Sequence, residues 1–369
     1  NDPMTAVPTR SLMVILASSL FLGACSDNDE VMTGLLPGDP EPETWRFALE
    51  EVGGSVQDAW AQEFRRRIQE LSDGQVQVEI YPYGSIGNSP HLTGLVRDGR
   101  VHLAFASPGH VADKVPEAGV FLLPYLFPED DQATRTILSD PELGSLLEQA
   151  WASAGLQLMS LVPEGWIAWT ANQPLLEPGD FSGLRMRTMT APMHNAVFAA
   201  WGADPVALPY GEVHEALQLG QVDGQSNPAF AIAEMQFHEF QSHMTLPAAT
   251  RFVASVVSNR EWYQDLDTTH REWLHGAIKG MPEFIDAIQQ EYNQRSLQQL
   301  RESGRIRIHS LNEQQRTGFH EATGPAVAAY RAQAGKRGAQ ILERIQRLSE
   351  AERSAGQEEA SAPDPAIKP

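Results

Sequence analysis

The sequence predicts an α/β fold, and three features carry that expectation. Trp45, Phe47 and Leu49 alternate as in a strand; Trp60, Phe64, Ile68 and Leu71 recur at spacings of four, four and three, as on one face of a helix; Asp73-Gly74 then turns the chain into Val76, Val78 and Ile80. A strand, a helix and a strand in that order favour a parallel sheet. With 369 residues, 42% of them hydrophobic and 20% charged, the chain is long enough for two ordinary domains with a sizeable core.

The later elements follow in order. Val101 to Ala106 is expected as a strand, Leu156 to Leu161 and Trp166 to Thr170 as two more, and Leu184 to Met189 as one that leads into a helix around Asn195. Gly211 to Gly220 fits a short helix. Leu274, Ile278, Met281, Ile285, Ile288 and Tyr292 repeat at spacings of four and three, which predicts one long helix from about Thr268 to Ser303. A strand around Ile306 and Ile308 and closing helices to about Leu348 complete the body.

Both ends differ from this body. Arg10 precedes an apolar run of 13 residues, Leu12 to Ala24, whereas a spanning helix needs roughly 20. Residues 1–24 therefore predict a signal peptide. The run ends Leu22-Gly23-Ala24-Cys25, and Cys25 is the one cysteine of the chain, so an intramolecular disulfide and a cysteine-based zinc cluster are excluded. Small residues before that cysteine resemble a bacterial lipobox, which implies a lipidated Cys25 and a membrane anchor. Residues 25–43 then carry six acidic and no basic side chains, an acidic tether, and residues 349–369, rich in Glu, Ala, Ser and Pro, are expected to be disordered. Lys+Arg of 27 against Asp+Glu of 48 gives a net charge of −21, a surface that repels nucleic acid.

Catalytic and metal constellations are scarce. His238 and His243 resemble a zinc-protease pair but stand five apart, which places them roughly 140° apart around a helix. His270 and His275 share that spacing. No phosphate loop, nucleophile elbow or dinucleotide fingerprint occurs. Two stretches stand out instead. Gly183-Leu184-Arg185-Met186-Arg187 puts two guanidiniums on a strand otherwise suited to a core, a costly placement unless an anion meets them. That anion is either a local carboxylate such as Asp180 or a ligand. In Gly220-Gln221-Val222-Asp223-Gly224-Gln225-Ser226-Asn227-Pro228 the proline holds Asn227 extended, with its amide free to bond outward.

Taken in order, Trp45 through Tyr81-Pro82-Tyr83-Gly84-Ser85-Ile86-Gly87, Pro124-Tyr125-Leu126-Phe127, the Arg185 to Arg187 strand, Leu208-Pro209-Tyr210-Gly211-Glu212-Val213 and the Gly220 to Pro228 run resemble the solute-binding proteins of tripartite ATP-independent periplasmic (TRAP) transporters. The likeness covers about Trp45 to Leu348. It implies a two-lobed periplasmic binding protein of the Venus-flytrap kind, with the helix from Thr268 spanning the hinge. Lobe I is expected at 44–164 plus about 253–290, and lobe II at 165–252 plus about 291–348. By motif position Arg187 resembles the carboxylate-clamping arginine and Asn227 the ligand-contacting asparagine; Glu50, Glu51 and Ser107 stand where the family presents polar contacts.

Departures from the family pattern shape the expected ligand. Ile167 stands where an arginine is common, Ser226 where Glu is usual and His214 where Tyr is usual. If the family's arginine faces the cleft, strand alternation turns Ile167 and Trp169 into it as well. The resemblance then implies one clamped carboxylate and a partly apolar remainder against indole walls, with Arg251 the alternative source of a second cation. The implied protein is a periplasmic, lipid-anchored receptor that captures a small organic acid and delivers it to a TRAP permease, with no cofactor, no metal and no chemistry on the ligand. A receptor of the same fold serving a signalling partner and a secreted enzyme are the rival readings.

Overall fold

Alternating burial along Glu43–Ala48 (β1) sends Trp45 and Phe47 into the core. There the Phe47 ring meets Trp60 and Phe64 edge-on, both at 5.7 Å, from Val56–Leu71 (α1). Such edge-to-face pairs add about 0.5–1.5 kcal/mol each to the burial term. The Ser55 hydroxyl caps α1 by accepting from the Asp58 N–H at 3.2 Å. Val76–Tyr81 (β2) returns parallel to β1, as the strand, helix and strand periodicity requires. The computed structural model describes residues 41–361, with side chains to residue 356. Residues 1–40, with Cys25 and most of the acidic segment, lie outside the described residues, as do residues 362–369.

Ser89–Arg97 (α2), Leu103–Ala106 (β3), Pro108–Val111 (α3), Asp131–Leu138 (α4) and Pro141–Ser153 (α5) follow, and then Leu156–Ala171 (β4). Beyond it come Arg185–Thr188 (β5), Pro192–Ala200 (α6), Asp204–Ala207 (β6), Val213–Gln218 (α7), Gly224–Pro228 (β7), Ala229–Glu234 (α8), His243–Leu246 (β8) and Arg251–Asn259 (β9). The chain closes with Arg260–Asp265 (α9), Thr268–Ile278 (α10), Met281–Glu302 (α11), Arg307–Ser310 (β10), Glu313–Ala322 (α12) and Gly324–Ser361 (α13). The strands form one path, β2-β1-β3-β9-β4-β7-β5-β6, with β8 on β4 and β10 on β8. It reads as two half-sheets joined by β4. Leu156–Trp166 pairs with β9 in the first half-sheet, and Ile167–Ala171 pairs with β7 in the second.

Four expectations are corrected. The two strands expected between Leu156 and Thr170 are one: Pro163 and Gly165, which look like breakers, are absorbed by register shifts at Leu158/Ser160 and Pro163/Gly165. Gly165 is required there. Its φ is 126°, and a Cβ would stand 2.4 Å from the Asn293 amide nitrogen. The helix expected from Thr268 to Ser303 is broken at Gly280, whose φ of 78° suits glycine and ends α10 before α11 begins.

The segment from residue 349, expected to be disordered, continues α13 to Ser361, since no proline interrupts its Ala, Glu and Gln before Pro363. Helix α13, expected with lobe II, is bonded to elements of the first half-sheet. Arg344 holds the Asp140 cap of α5 with two bonds of 2.9 and 2.6 Å, and Arg337 donates to Glu117 at 2.7 Å. Among the described residues no helix is long and apolar enough to cross a membrane.

Candidate functional site

The carboxyl ends of β1, β3, β5 and β7 bring together Glu50, Ser107, Arg187 and Asn227, the edge at which parallel sheets commonly hold ligands. These four line one cleft with about 370 Å³ of atom-free space, part of it open to solvent. The first half-sheet contributes Glu50, Glu51, Ser107 and Phe252, and the second Arg187, Met189, Tyr210 and Asn227. Among the described residues no cluster of three His, Cys, Asp or Glu is arranged to hold a metal.

Arg185 and Arg187 share a face of β5 but have different fates. Arg185, near the solvent, is matched by Asp223 through bonds of 2.7 and 3.0 Å. Asp180, the partner weighed from sequence, instead accepts the backbone N–H groups of Leu176 and Glu177. Arg187 is 1% exposed and forms no ion pair among the described residues. Its Nε and Nη2 donate to the Leu208 carbonyl at 3.0 and 2.8 Å. Burial pulls the guanidinium down to about 10, although Tyr210 and Glu212 stand near. A buried cation without a counter-ion is unfavourable until an anion arrives.

Among the described residues that line the cleft, Arg187 is the single cation. His110, bonded to Thr190 at 2.8 Å, and His194, which accepts the Met189 N–H at 2.9 Å, are each depressed to about 3 by burial and then by Arg187, so both are neutral. Arg251 does not supply a second charge: it pairs with Asp131 and lies over the Trp166 ring at 4.4 Å. Among the described residues, three polar atoms of residues lining the cleft are buried without a partner, namely Glu50 Oε1, Ser107 Oγ and the Tyr210 hydroxyl. Buried polar atoms are rarely left unmatched, and these three stand at one cleft. The Asn227 amide donates to Gln225 at 2.6 Å, which fixes its orientation.

Ile167 and Trp169 do not join these residues. In the β4–β7 register Ala168 pairs with Asn227 and Thr170 with Gln225, so it is the even positions of β4 that share the Asn227 face. Trp169 turns the other way, into rings of Phe319 at 4.8 Å, Trp201 at 4.9 Å and Phe181 at 5.2 Å. Ile167 lines a separate groove with Trp166, Ala229 and Asn293. The expected indole walls are thus absent from the cleft, and Met189, Pro228 and Phe252 supply its apolar lining. Sequence reasoning passed over His110, Met189, Tyr210 and Phe252. Tyr210 was findable, since it sits inside the Leu208 to Val213 motif.

Glu50 gives the site a pH signature. Its carboxylate accepts the Ser107 N–H at 2.8 Å, yet burial pushes it up to about 8. The folded chain therefore keeps a proton that the unfolded chain loses near 4.5, so this stability is present in acid and lost as pH rises through 8. His110 and His194 have the opposite sign but add nothing further once pH exceeds about 6.5. Between pH 6.5 and 8 the ligand-free protein is expected to lose about 2 kcal/mol through Glu50. Denaturant titrations across that range should show the fall, and Glu50→Gln should make it shallower by that amount; a fall of the same size in the variant would assign it elsewhere.

Residues 50–333 match the family described as bacterial extracellular solute-binding protein, family 7. The ectoine/5-hydroxyectoine-binding periplasmic protein UehA of Ruegeria pomeroyi is 30% identical over 83% of this chain and 90% of its own length. The ectoine-binding periplasmic protein TeaA of Halomonas elongata is 29% identical over 82% and 89%. Among solved structures, a TRAP periplasmic solute-binding protein from Marinobacter aquaeolei VT8 in an apo open form is 46% identical, with a TM-score of 0.78 over 82% of this chain and 99% of that one. The ectoine-binding protein of the TeaABC TRAP transporter of Halomonas elongata has a TM-score of 0.81 at 27% identity, over 84% and 100%.

Proposed function

This chain belongs to family 7 of the bacterial extracellular solute-binding proteins, and from that membership we propose that it is the periplasmic receptor of a TRAP transporter, taking a small organic acid into the cleft and passing it unchanged to an ion-driven permease. One observation carries the ligand class: the Arg187 guanidinium is buried, without an ion pair among the described residues, and set in the cleft wall. A carboxylate meets its free edge in a charge-assisted bond, and Asn227 flanks it. Names of relatives span ectoine and C4-dicarboxylates, so the ligand here is a small carboxylate-bearing solute.

Thermal-shift titration of the protein with such solutes tests this, because a ligand bound only by the native state raises stability by RT ln(1 + [L]/Kd). Stabilisation at micromolar concentration, with the solute recovered intact, is the expected result. Stabilisation by amines or neutral sugars, and by no carboxylate, would contradict it. We further propose that Cys25 carries the lipid, so that the acidic segment tethers the receptor to a membrane. Cys25→Ser should then release it in soluble form, and native protein whose intact mass begins upstream of Cys25 would refute the anchor.

A further inference from the structure

Two carboxyl groups, those of Glu50 and Glu51, line the wall of the cleft contributed by the first half-sheet, and a third, that of Glu164 on β4, is fully buried beyond Gln57. Gln57, in the first turn of α1, connects them. Its backbone N–H donates to Glu51 Oε2 at 3.3 Å, its Nε2 donates to Glu164 Oε1 at 3.1 Å, and its Oε1 accepts the backbone N–H of Glu50 at 2.9 Å. Burial, and then the charge of the nearby Glu51 carboxylate, raise the proton affinity of Glu164. Glu164 is fully buried, Glu50 and Glu51 nearly so, and none of the three forms an ion pair among the described residues.

The charges facing this cluster come from several elements. Arg187 on β5 lies across the same cleft, the Tyr210 phenol and Glu234 of α8 stand near Glu51, and Arg295 of α11 faces Glu234. His110, on α3, is neutral there. Three buried acids without a cation are unfavourable unless something positive completes them.

We propose that Glu50 and Glu51, backed by Glu164, form a cation subsite on one wall of the cleft, with Arg187 the anion subsite on the other, so that the solute is a small zwitterion whose positive group takes the place of a proton held by the cluster. This rests on the receptor reading above and narrows its ligand class. The balance is simple: one carboxylic acid gives its proton to the buffer, the carboxylate left behind accepts N–H bonds from the solute, and no bond of the solute breaks. Burial holding Glu50 near 8, and Glu164 well above the carboxylate range with Glu51 beside it, agrees with a proton held at neutral pH. A solute bearing only a carboxylate displaces no proton. It also leaves Glu50 Oε1 without a partner.

Calorimetric titration of the full chain at pH 7, in phosphate and in Tris, reads the displaced proton directly because the two buffers differ in heat of ionisation. Ectoine is the probe, carrying a carboxylate and a delocalised ring cation; succinate and cyclohexanecarboxylate are the comparators. The expected result is tight ectoine binding with about one proton released, affinity rising by up to about tenfold from pH 6 to pH 7, and weaker binding of both comparators with no release. Glu50→Gln should weaken ectoine more than either comparator and reduce the release. Ectoine bound with equal heats in the two buffers, or comparators bound as tightly, would overturn the zwitterion inference and leave the receptor reading standing. The same proton release from sodium or calcium ions alone would overturn it too. Heat from none of the three solutes would count against the receptor's ligand class and this inference together.

Discussion

Arg187→Ala is expected to weaken solute binding by roughly 30- to 5000-fold with the fold retained, the consequence of removing a charge-assisted partner worth about 2–5 kcal/mol in a desolvated cleft. Retention of the fold follows from what Arg187 touches. Among the described residues it holds no carboxylate, and its truncation frees one carbonyl, that of Leu208. Arg187→Lys should recover little, because an ammonium cannot offer the planar fork, and the Leu208 carbonyl already occupies two guanidinium nitrogens in an arrangement lysine cannot copy. Titration calorimetry of the three proteins, with circular dichroism as the fold control, decides it. Affinity within threefold of the parent in the alanine variant would remove Arg187 from the site.

The second large effect falls on stability. Trp169→Ala should cost about 3–5 kcal/mol, the usual penalty for emptying a packed aromatic position, because its indole stands between Phe181, Trp201 and Phe319 at centroid distances of 4.8 to 5.2 Å. Solute affinity of the folded fraction should hardly move. Urea denaturation gives the first quantity and calorimetry below the transition the second. Lost binding at unchanged stability would return Trp169 to the cleft, where strand alternation alone would put it.

That contrast locates what the amino-acid sequence could and could not tell. Local chemistry marks the stretches that hold Arg187 and Asn227, guanidiniums in an apolar strand and an amide held extended by Pro228, while the resemblance in motif position singles Arg187 out from Arg185. Glu50 and Ser107 were reachable because they follow closely on strands that run toward the cleft. Ile167 and Trp169 were misplaced because alternation says which residues share a face and not which way that face looks. Only the pairing of Ala168 with Asn227 decides it. Glu164 was invisible for a related reason: between Pro163 and Gly165 it looks like a turn residue, whereas the strand carries it through a bulge to Gln57. Pairing register and distant side-chain bonds are long-range facts, and no window of neighbouring residues contains them.

Strand β4 is continuous through both half-sheets, with its first part bonded to β9 and its last to β7 and β8, and this bears on how such receptors can be inherited. A cut near Trp166 would leave each piece with a torn ladder of unpaired N–H and C=O groups, the kind of edge that recruits another chain. Recombination that swaps one half for a relative's must therefore preserve the register on both sides of Gly165, or the crossing strand slips and turns every later side chain to the wrong face. Neither half is then freely transferable: an exchange succeeds only where the incoming half keeps the register of the crossing strand.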